Sequence, residues 1–575
     1  MYRVGFSKKD ITAFLKGIGM MGWCKPGNVV EEVESNLFAR AVVIETEQDK
    51  VAIVVTETAT MTLAMRQMVL KKLQLHYAEL GFHEANVMLM ATHTHSSPGG
   101  NSHYLLYNLT VPGYSKEITE TYVNGIVEAI VEADKMKENA FIYFGKSAFE
   151  PHIPVAFNRA LEAWNQNPEN EKFDENNRHL ALDRNAYQLT FLNEELVPMG
   201  ILNFFAVHTT TVHSDKRTIS SDNKGYAAHQ LENLMRIQNP HFVAIFAQGA
   251  AGDVSPNFVL HKGDKEKRGE TPDDFINRKI HGTYQMEKAH QLIYHAKHTP
   301  SLSVELDYSL DYFDIPKTQI DPDFVGGVEG LTAGDPCFGM YFIGGTAEGL
   351  GIPPFWIRLL SNFVARRNNK LLKRNPSYYA QLSKAHVEKV VLINCKTGEL
   401  AGTNAFHKLP IPDFMDPFLA ELKRLSVLGE IYQPKQPLVP DILPLQIIKI
   451  GNIAIAAAPT ELTTTSGLRI QKQIKESLKG IKEVIVAGYA NGYASYTTTP
   501  EEYALQHYEG SSTLYGKYSL PAFQTHFKTL VNRLQTPKLQ RPQKPSLYPH
   551  IFSEEELKNR LFKPFESAGF LRANR

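Results

Sequence analysis

Residues 86–100 read NVMLMATHTHSSPGG: an apolar run ends in two histidines one residue apart, then breaks into a Ser/Pro/Gly turn. Neutral imidazole is the commonest metal ligand, and catalytic zinc sites often use several. Residues i and i+2 of a strand point the same way, so His93 and His95 can face one cavity. Such a pair also has a plain reading, as polar residues that cap a strand. His208 shifts the balance, because it too ends an apolar run, FFAVHTTT (204–211). Two histidine-bearing strand ends in one α/β unit can converge on one ion.

Other stretches carry weaker chemistry. GAAGDVSPN (249–257) places Ser255 in a loop after an apolar run. It is not a G-x-S-x-G elbow, which argues against an alpha/beta-hydrolase. Such a loop can offer a hydroxyl and backbone N–H groups to an oxyanion, or can be an ordinary turn. APTELTTTSG (458–467) sets Glu461 between a strand and a helix, where a carboxylate ligates a metal or starts the helix. SSDNKGY (220–226) reads as a turn entering a helix, with Asp222 as its N-cap. Six tyrosines lie between 489 and 515: Tyr489, Tyr493, Tyr496, Tyr503, Tyr508 and Tyr515. That density suits an oxyanion site or an aromatic wall around a lipid.

The elements that must position these residues are α/β in kind. ARAVVIET (39–46), KVAIVVTET (50–58) and NVMLMATH (86–93) have the β-branched, apolar runs of strands, and residues 61–80 have helical spacing. Residues 447–474 read strand, loop, helix. The expectation is α/β, mixed β-sheets with flanking helices, over 1–520. Residues 521–575 read as a short Pro-rich and helical extension.

Composition sets outer bounds. Of 575 residues, 43% are hydrophobic and 21% charged, as in ordinary globular proteins. Lys+Arg and Asp+Glu number 61 each, so no global field points to nucleic acid. Cys24, Cys337 and Cys395 are too few and too scattered for a disulfide framework or a Cys-based zinc site. No signal peptide and no membrane span are read, and the compartment stays open.

Together the segments resemble the neutral/alkaline (non-lysosomal) ceramidase family. The matching stretches are GIGMMGWCKPGN (17–28), ATHTHSSPGG (91–100), FFAVHTTT with SSDNKGYAAHQLE (204–232), GDVSPN (252–257), PTELTTTSGLR (459–469) and YASYTTTPEEYALQHYEGSSTLYG (493–516). The resemblance implies one catalytic zinc per chain, held by His93, His208, Glu461 and Tyr496. His95, Arg159 and Tyr508 would line the reacting amide, and Ser255 takes a nucleophile-like place. The implied reaction is hydrolysis of ceramide to a sphingoid base and a fatty acid. Attack by zinc-activated hydroxide is favoured over attack by Ser255, whose sequence neighbours include no evident general base. The family's C-terminal β-sandwich domain is expected to be absent or replaced. Two alternatives are a zinc amidase acting on another N-acyl lipid and a non-catalytic lipid-binding relative.

One further segment concerns access to lipid. FWIRLLSNFVARRNNKLLKR (355–374) spaces Trp356, Leu359, Leu360, Phe363 and Val364 as a helix would, and carries five cations from Arg366 to Arg374. It reads either as a packed amphipathic helix or as peripheral contact with a membrane surface.

Overall fold

The computed structural model describes residues 1–25, 27–111, 113–404 and 417–562. An eight-stranded mixed sheet forms the first half. Its order is Val243–Gln248, Pro198–Phe205, Asn185–Asn193, Glu138–Ala148, Tyr2–Asp10, Phe38–Glu45, Lys50–Thr56 and Val87–Ala91. Only the two outermost pairings are parallel, Lys50–Thr56 with Val87–Ala91 and Pro198–Phe205 with Val243–Gln248. A second sheet aligns Leu306–Asp314, Ile442–Ile450, Ile453–Ala457 and Glu483–Ala487.

Alternation along the strands dictates the layers. In Phe38–Glu45, Val42 and Ile44 face one way, Ala41 and Val43 the other, and all four are buried. Ala41 and Val43 share a cluster with Val69, Tyr122 and Ile126 of the helices Leu63–His76 and Lys116–Lys135. Val42 and Ile44 share one with Ile448, Ile455 and Ile485 of the second sheet. The other face of that sheet, with Leu445, Ile447 and Val484, packs on Ile470 and Phe523 of the helices Thr464–Ser477 and Ser519–Gln535. The result is helix, sheet, sheet, helix. Both faces of each sheet are covered, which is why these strands read as continuous apolar runs rather than alternating ones.

The helix Ser519–Gln535 crosses the position where the sequence reading began an extension. Leu520, Phe523, Phe527 and Leu530 are buried in the core beside the second sheet, so this stretch packs as part of the sandwich. After it come Lys538–Gln540, Glu554–Leu557 and Lys558–Arg560, all single turns.

Candidate metal centre and active site

The site lies where strands of both sheets end. Val87–Ala91 leads to His93, Pro198–Phe205 to His208, Val243–Gln248 to Ser255, and Ile453–Ala457 to Glu461. Backbone hydrogen bonds stitch the two sheets together here, from Ala91 N–H to Tyr489 O at 3.2 Å and from Asn491 N–H to Leu89 O at 2.7 Å. Strand ends running into loops are where α/β folds place chemistry.

His93 and His95 converge, but not through the pleat of a strand. The strand stops at Ala91, and His93 has left-handed backbone, φ 69°. That turn brings the two rings edge to face, centroids 4.6 Å apart. His93 Nδ1 is 2.6 Å from Ala59 O, and His208 Nδ1 is 2.7 Å from Ala251 O and 3.0 Å from Val254 O. A carbonyl can only accept, so each Nδ1 carries the hydrogen and each Nε2 keeps its lone pair in the neutral ring. Glu461 Oε2 sits 3.3 Å from His93 Nε2 and 3.2 Å from His208 Nε2. His208 Nε2 has no hydrogen-bond partner. Three lone-pair atoms thus face one another without a shared hydrogen, the arrangement that a cation resolves. The ring nitrogens of His93, His95 and His208 also fall within 4.8 Å of one another. These donors fit zinc, and the backbone carbonyls behind them fix each ring as outer-shell partners do.

Glu461 is held from outside. Tyr493 Oη donates to its Oε1 at 2.5 Å and Tyr489 Oη to its Oε2 at 3.2 Å. The short strand Glu461–Leu462 pairs in parallel with Tyr496–Thr497, which puts Tyr496 directly beside Glu461. Of the six tyrosines, Tyr489, Tyr493, Tyr496 and Tyr508 gather at the site. Tyr503 and Tyr515 are fully buried away from it, with Tyr515 Oη on Pro440 O at 2.6 Å.

Ser255 and Arg159 meet through a two-residue ladder, Val254–Ser255 against Phe157–Asn158. The Arg159 guanidinium makes four hydrogen bonds. Nε donates to Glu509 at 2.9 Å, Nη1 to Glu348 at 2.8 Å, and Nη2 to both Gly252 O and Tyr496 Oη at 2.9 Å. Tyr508 opens the short helix Tyr508–Ser512, its ring 5.5 Å from that of Tyr496. Burial, and then the neighbouring imidazoles of His93 and His208, hold the His95 pKa well below the usual histidine range. Burial likewise pushes the Tyr508 phenol far above its usual value. Both rings are therefore neutral at physiological pH.

Trp23 was not singled out by its sequence, yet it props the site. Its ring meets His95 edge to face at 5.1 Å and stacks on His213 at 5.0 Å. Gly22 beside it has φ 119°, and a Cβ there would fall 2.3 Å from His95 Cγ. Asp222 differs from its expected part. Ser221 is the N-cap position, while Asp222, in left-handed backbone, accepts from Thr211 and Val212 of the loop after His208. Its carboxylate fixes the His208 loop instead of capping the helix. Glu348 was also missed: only the glycine-rich run GGTAEGLG surrounds it in sequence.

A four-layer α/β scaffold with a buried histidine–carboxylate cluster at its strand ends has the donor set that a metal-dependent hydrolase uses. The comparisons narrow this. The profile of the family "Neutral/alkaline non-lysosomal ceramidase, N-terminal" matches residues 2–411 and 422–525. The chain belongs to that family. It is 31% identical over 530 residues to the neutral ceramidase of Pseudomonas aeruginosa, covering 92% of this chain and 71% of that one. It is 30% identical over 576 residues to neutral ceramidase A of Dictyostelium discoideum, covering 93% and 72%. Among solved structures, a ceramidase complexed with C2 superposes with a TM-score of 0.78 at 28% identity, covering 96% of this chain and 77% of the other. The crystal structure of the Pseudomonas aeruginosa enzyme gives 0.74 at 29% identity, covering 96% and 76%.

Proposed function

We propose that this ceramidase-family hydrolase cleaves the amide bond of ceramide, N-acylsphingosine, releasing a sphingoid base and a free fatty acid, with one zinc ion per chain. The observation that carries the reading is the convergence of His93 Nε2, His208 Nε2 and Glu461 Oε2. These three would hold the metal, with Tyr496 as a fourth ligand. A zinc ion in such a site supplies a Lewis acid for the amide carbonyl and lowers the pKa of a water. The chain's own groups do the rest. His95 and Tyr508 would line the reacting amide, their neutral N–H and O–H stabilising an oxyanion and relaying to the departing amine the proton that the attacking water gives up. Arg159 is held by Glu348 and Glu509, so its charge stays fixed beside Tyr496. Burial of the whole cluster excludes bulk water and strengthens each of these interactions.

The substrate would be drawn from a lipid surface. No described helix is long and apolar enough to cross a membrane. The helix Pro354–Arg374 buries only Ile357 and Val364 against Met340 and Ile343. Phe355, Trp356, Leu359, Leu360 and Phe363 stay 42–66% exposed. Exposed Arg358, Arg366, Lys370, Lys373 and Arg374 share the helix. An apolar face with a cationic flank suits the interface of an anionic bilayer. The turn Met340–Gly344, on which this helix packs, reaches the site through Phe342, whose ring lies 6.1 Å from that of Tyr508.

The deciding assay is release of fatty acid from a fluorescent short-chain ceramide at neutral pH, with and without a zinc chelator, with metal content measured on the same sample. Chelator-sensitive cleavage with about one zinc per chain supports the proposal. Bound zinc with no ceramide cleavage, but with cleavage of another N-acyl lipid, transfers the same machinery to that substrate. Neither zinc nor cleavage leaves a lipid-binding relative.

A further inference from the structure

Glu348 lies in the tight hairpin Gly345–Thr346 and Gly349–Leu350, aimed inward and only 3% exposed. The hairpin admits nothing larger than glycine at Gly345 and leaves little room at Gly349. A Cβ on Gly345 would fall 2.0 Å from Gly349 O, and one on Gly349 would fall 3.2 Å from the Trp23 ring. Two bonds from a neighbouring loop pin it, Lys267 N–H to Ala347 O at 2.8 Å and Leu350 N–H to Glu266 Oε1 at 2.8 Å.

The carboxylate so placed collects four donors. Oε2 accepts from Ser255 Oγ at 2.5 Å, from Asn257 Nδ2 at 2.9 Å and from Thr210 Oγ1 at 3.2 Å. Oε1 accepts from Arg159 Nη1 at 2.8 Å. A serine nucleophile needs a neighbour that takes its proton in the reaction. Among the described residues, the other acceptor of Ser255 Oγ is Asn257 O at 3.5 Å, a backbone carbonyl. To act as the base, Glu348 would have to give up an ion pair with a guanidinium that cannot deprotonate.

We propose that Glu348 is the positioning residue of this site: it ties down the Ser255 hydroxyl and fixes the Arg159 guanidinium toward Tyr496, so that Ser255 is a tether and not the nucleophile. The acidity of the carboxyl agrees. Burial pushes it up, but the Arg159 guanidinium and the Ser255 and Asn257 hydrogen bonds outweigh that and hold it below the usual carboxylate range. The inference rests on the amide-hydrolase reading above and adds to it which side chain orders the donors.

Steady-state kinetics on a short-chain N-acylsphingosine with Glu348→Gln, Glu348→Asp, Ser255→Ala and the double variant Ser255→Ala/Glu348→Gln test it. Glu348→Gln keeps the shape and loses the charge; kcat should fall by about 10²-fold with KM nearly unchanged. Glu348→Asp should recover part of that loss. Ser255→Ala should cost less than Glu348→Gln, and the double variant should match Glu348→Gln, because the serine acts through the carboxylate. A larger loss in Ser255→Ala than in Glu348→Gln overturns the proposal, as does a Glu348→Gln enzyme with wild-type kcat. Fluorophosphonate labelling of the unaltered protein, read by peptide mass spectrometry, needs neither a variant that folds nor an amide substrate. Absence of label on Ser255 is expected, and a labelled Ser255 overturns the assignment. Failure of the unaltered protein to hydrolyse ceramide would defeat the proposed reaction while leaving this labelling result to decide the part played by Ser255.

Discussion

His208 Nε2 and Glu461 Oε2 lie 3.2 Å apart, and neither has a hydrogen to offer the other. Two lone pairs at that distance in a buried site repel unless a cation or a proton sits between them. His93 Nε2, at 3.3 Å from the same oxygen, repeats the situation. This local conflict, maintained by backbone carbonyls behind both rings, is the strongest sign of a metal-binding purpose.

Removing a donor should therefore remove the metal. His93→Ala and His208→Ala are expected to lose bound zinc and hydrolysis together, with activity down by at least about 10³-fold. Inductively coupled plasma analysis beside a turnover assay checks this. Full metal occupancy with full activity in either variant would contradict the ligand assignment.

Bound zinc should also stabilise the folded chain. A ligand held only by the native state adds about 2.7 kcal/mol when present at one hundred times its dissociation constant. Chelator should lower the thermal unfolding midpoint, and added zinc should restore it. A midpoint indifferent to both would count against a preformed site.

Gly22→Ala offers a selective lesion. The added methyl meets the His95 ring, and the positive φ strains any side chain there. The expected result is a kcat lower by about 10²-fold with zinc retained, since His93 and His208 are untouched. A wild-type kcat in Gly22→Ala would show that the placement of His95 does not matter.

Stability should depend on pH through buried lysines. Burial lowers the Lys224 and Lys389 ammonium groups to about 7. An unfolded lysine titrates near 10.4, so between about pH 7 and 10 the unfolded chain binds protons that the native sites have lost. Native stability then rises with pH across that window. Urea midpoints at about pH 7 and about pH 9 should show the increase, and Lys224→Met should flatten it. A fall between those values in the unaltered protein would refute the sign.

Membrane contact has its own test. Co-sedimentation with anionic vesicles should weaken on reversing Arg366, Lys370, Lys373 and Arg374, and again on Trp356→Ser. Cleavage of a water-soluble short-chain substrate should survive both changes. Unchanged sedimentation in both variants would exclude this helix as the docking element.

What the sequence determined by itself was local. His93, His95 and His208 are legible because apolar runs of strand length end at them, and Glu461 because strand gives way to helix around it. The mixed α/β character follows from the same local periodicities. The tertiary structure alone decided which of these strand ends meet. The stacking of two sheets brings Tyr489 against Ala91 and Glu461 against His93, joining residues hundreds of positions apart. Glu348 shows the limit most plainly. It is one carboxylate in a glycine-rich run, and nothing in its own segment says that folding will close it onto Ser255 and Arg159. Hydrophobic spacing reports which face of an element is buried; it carries no record of the partner that buries it.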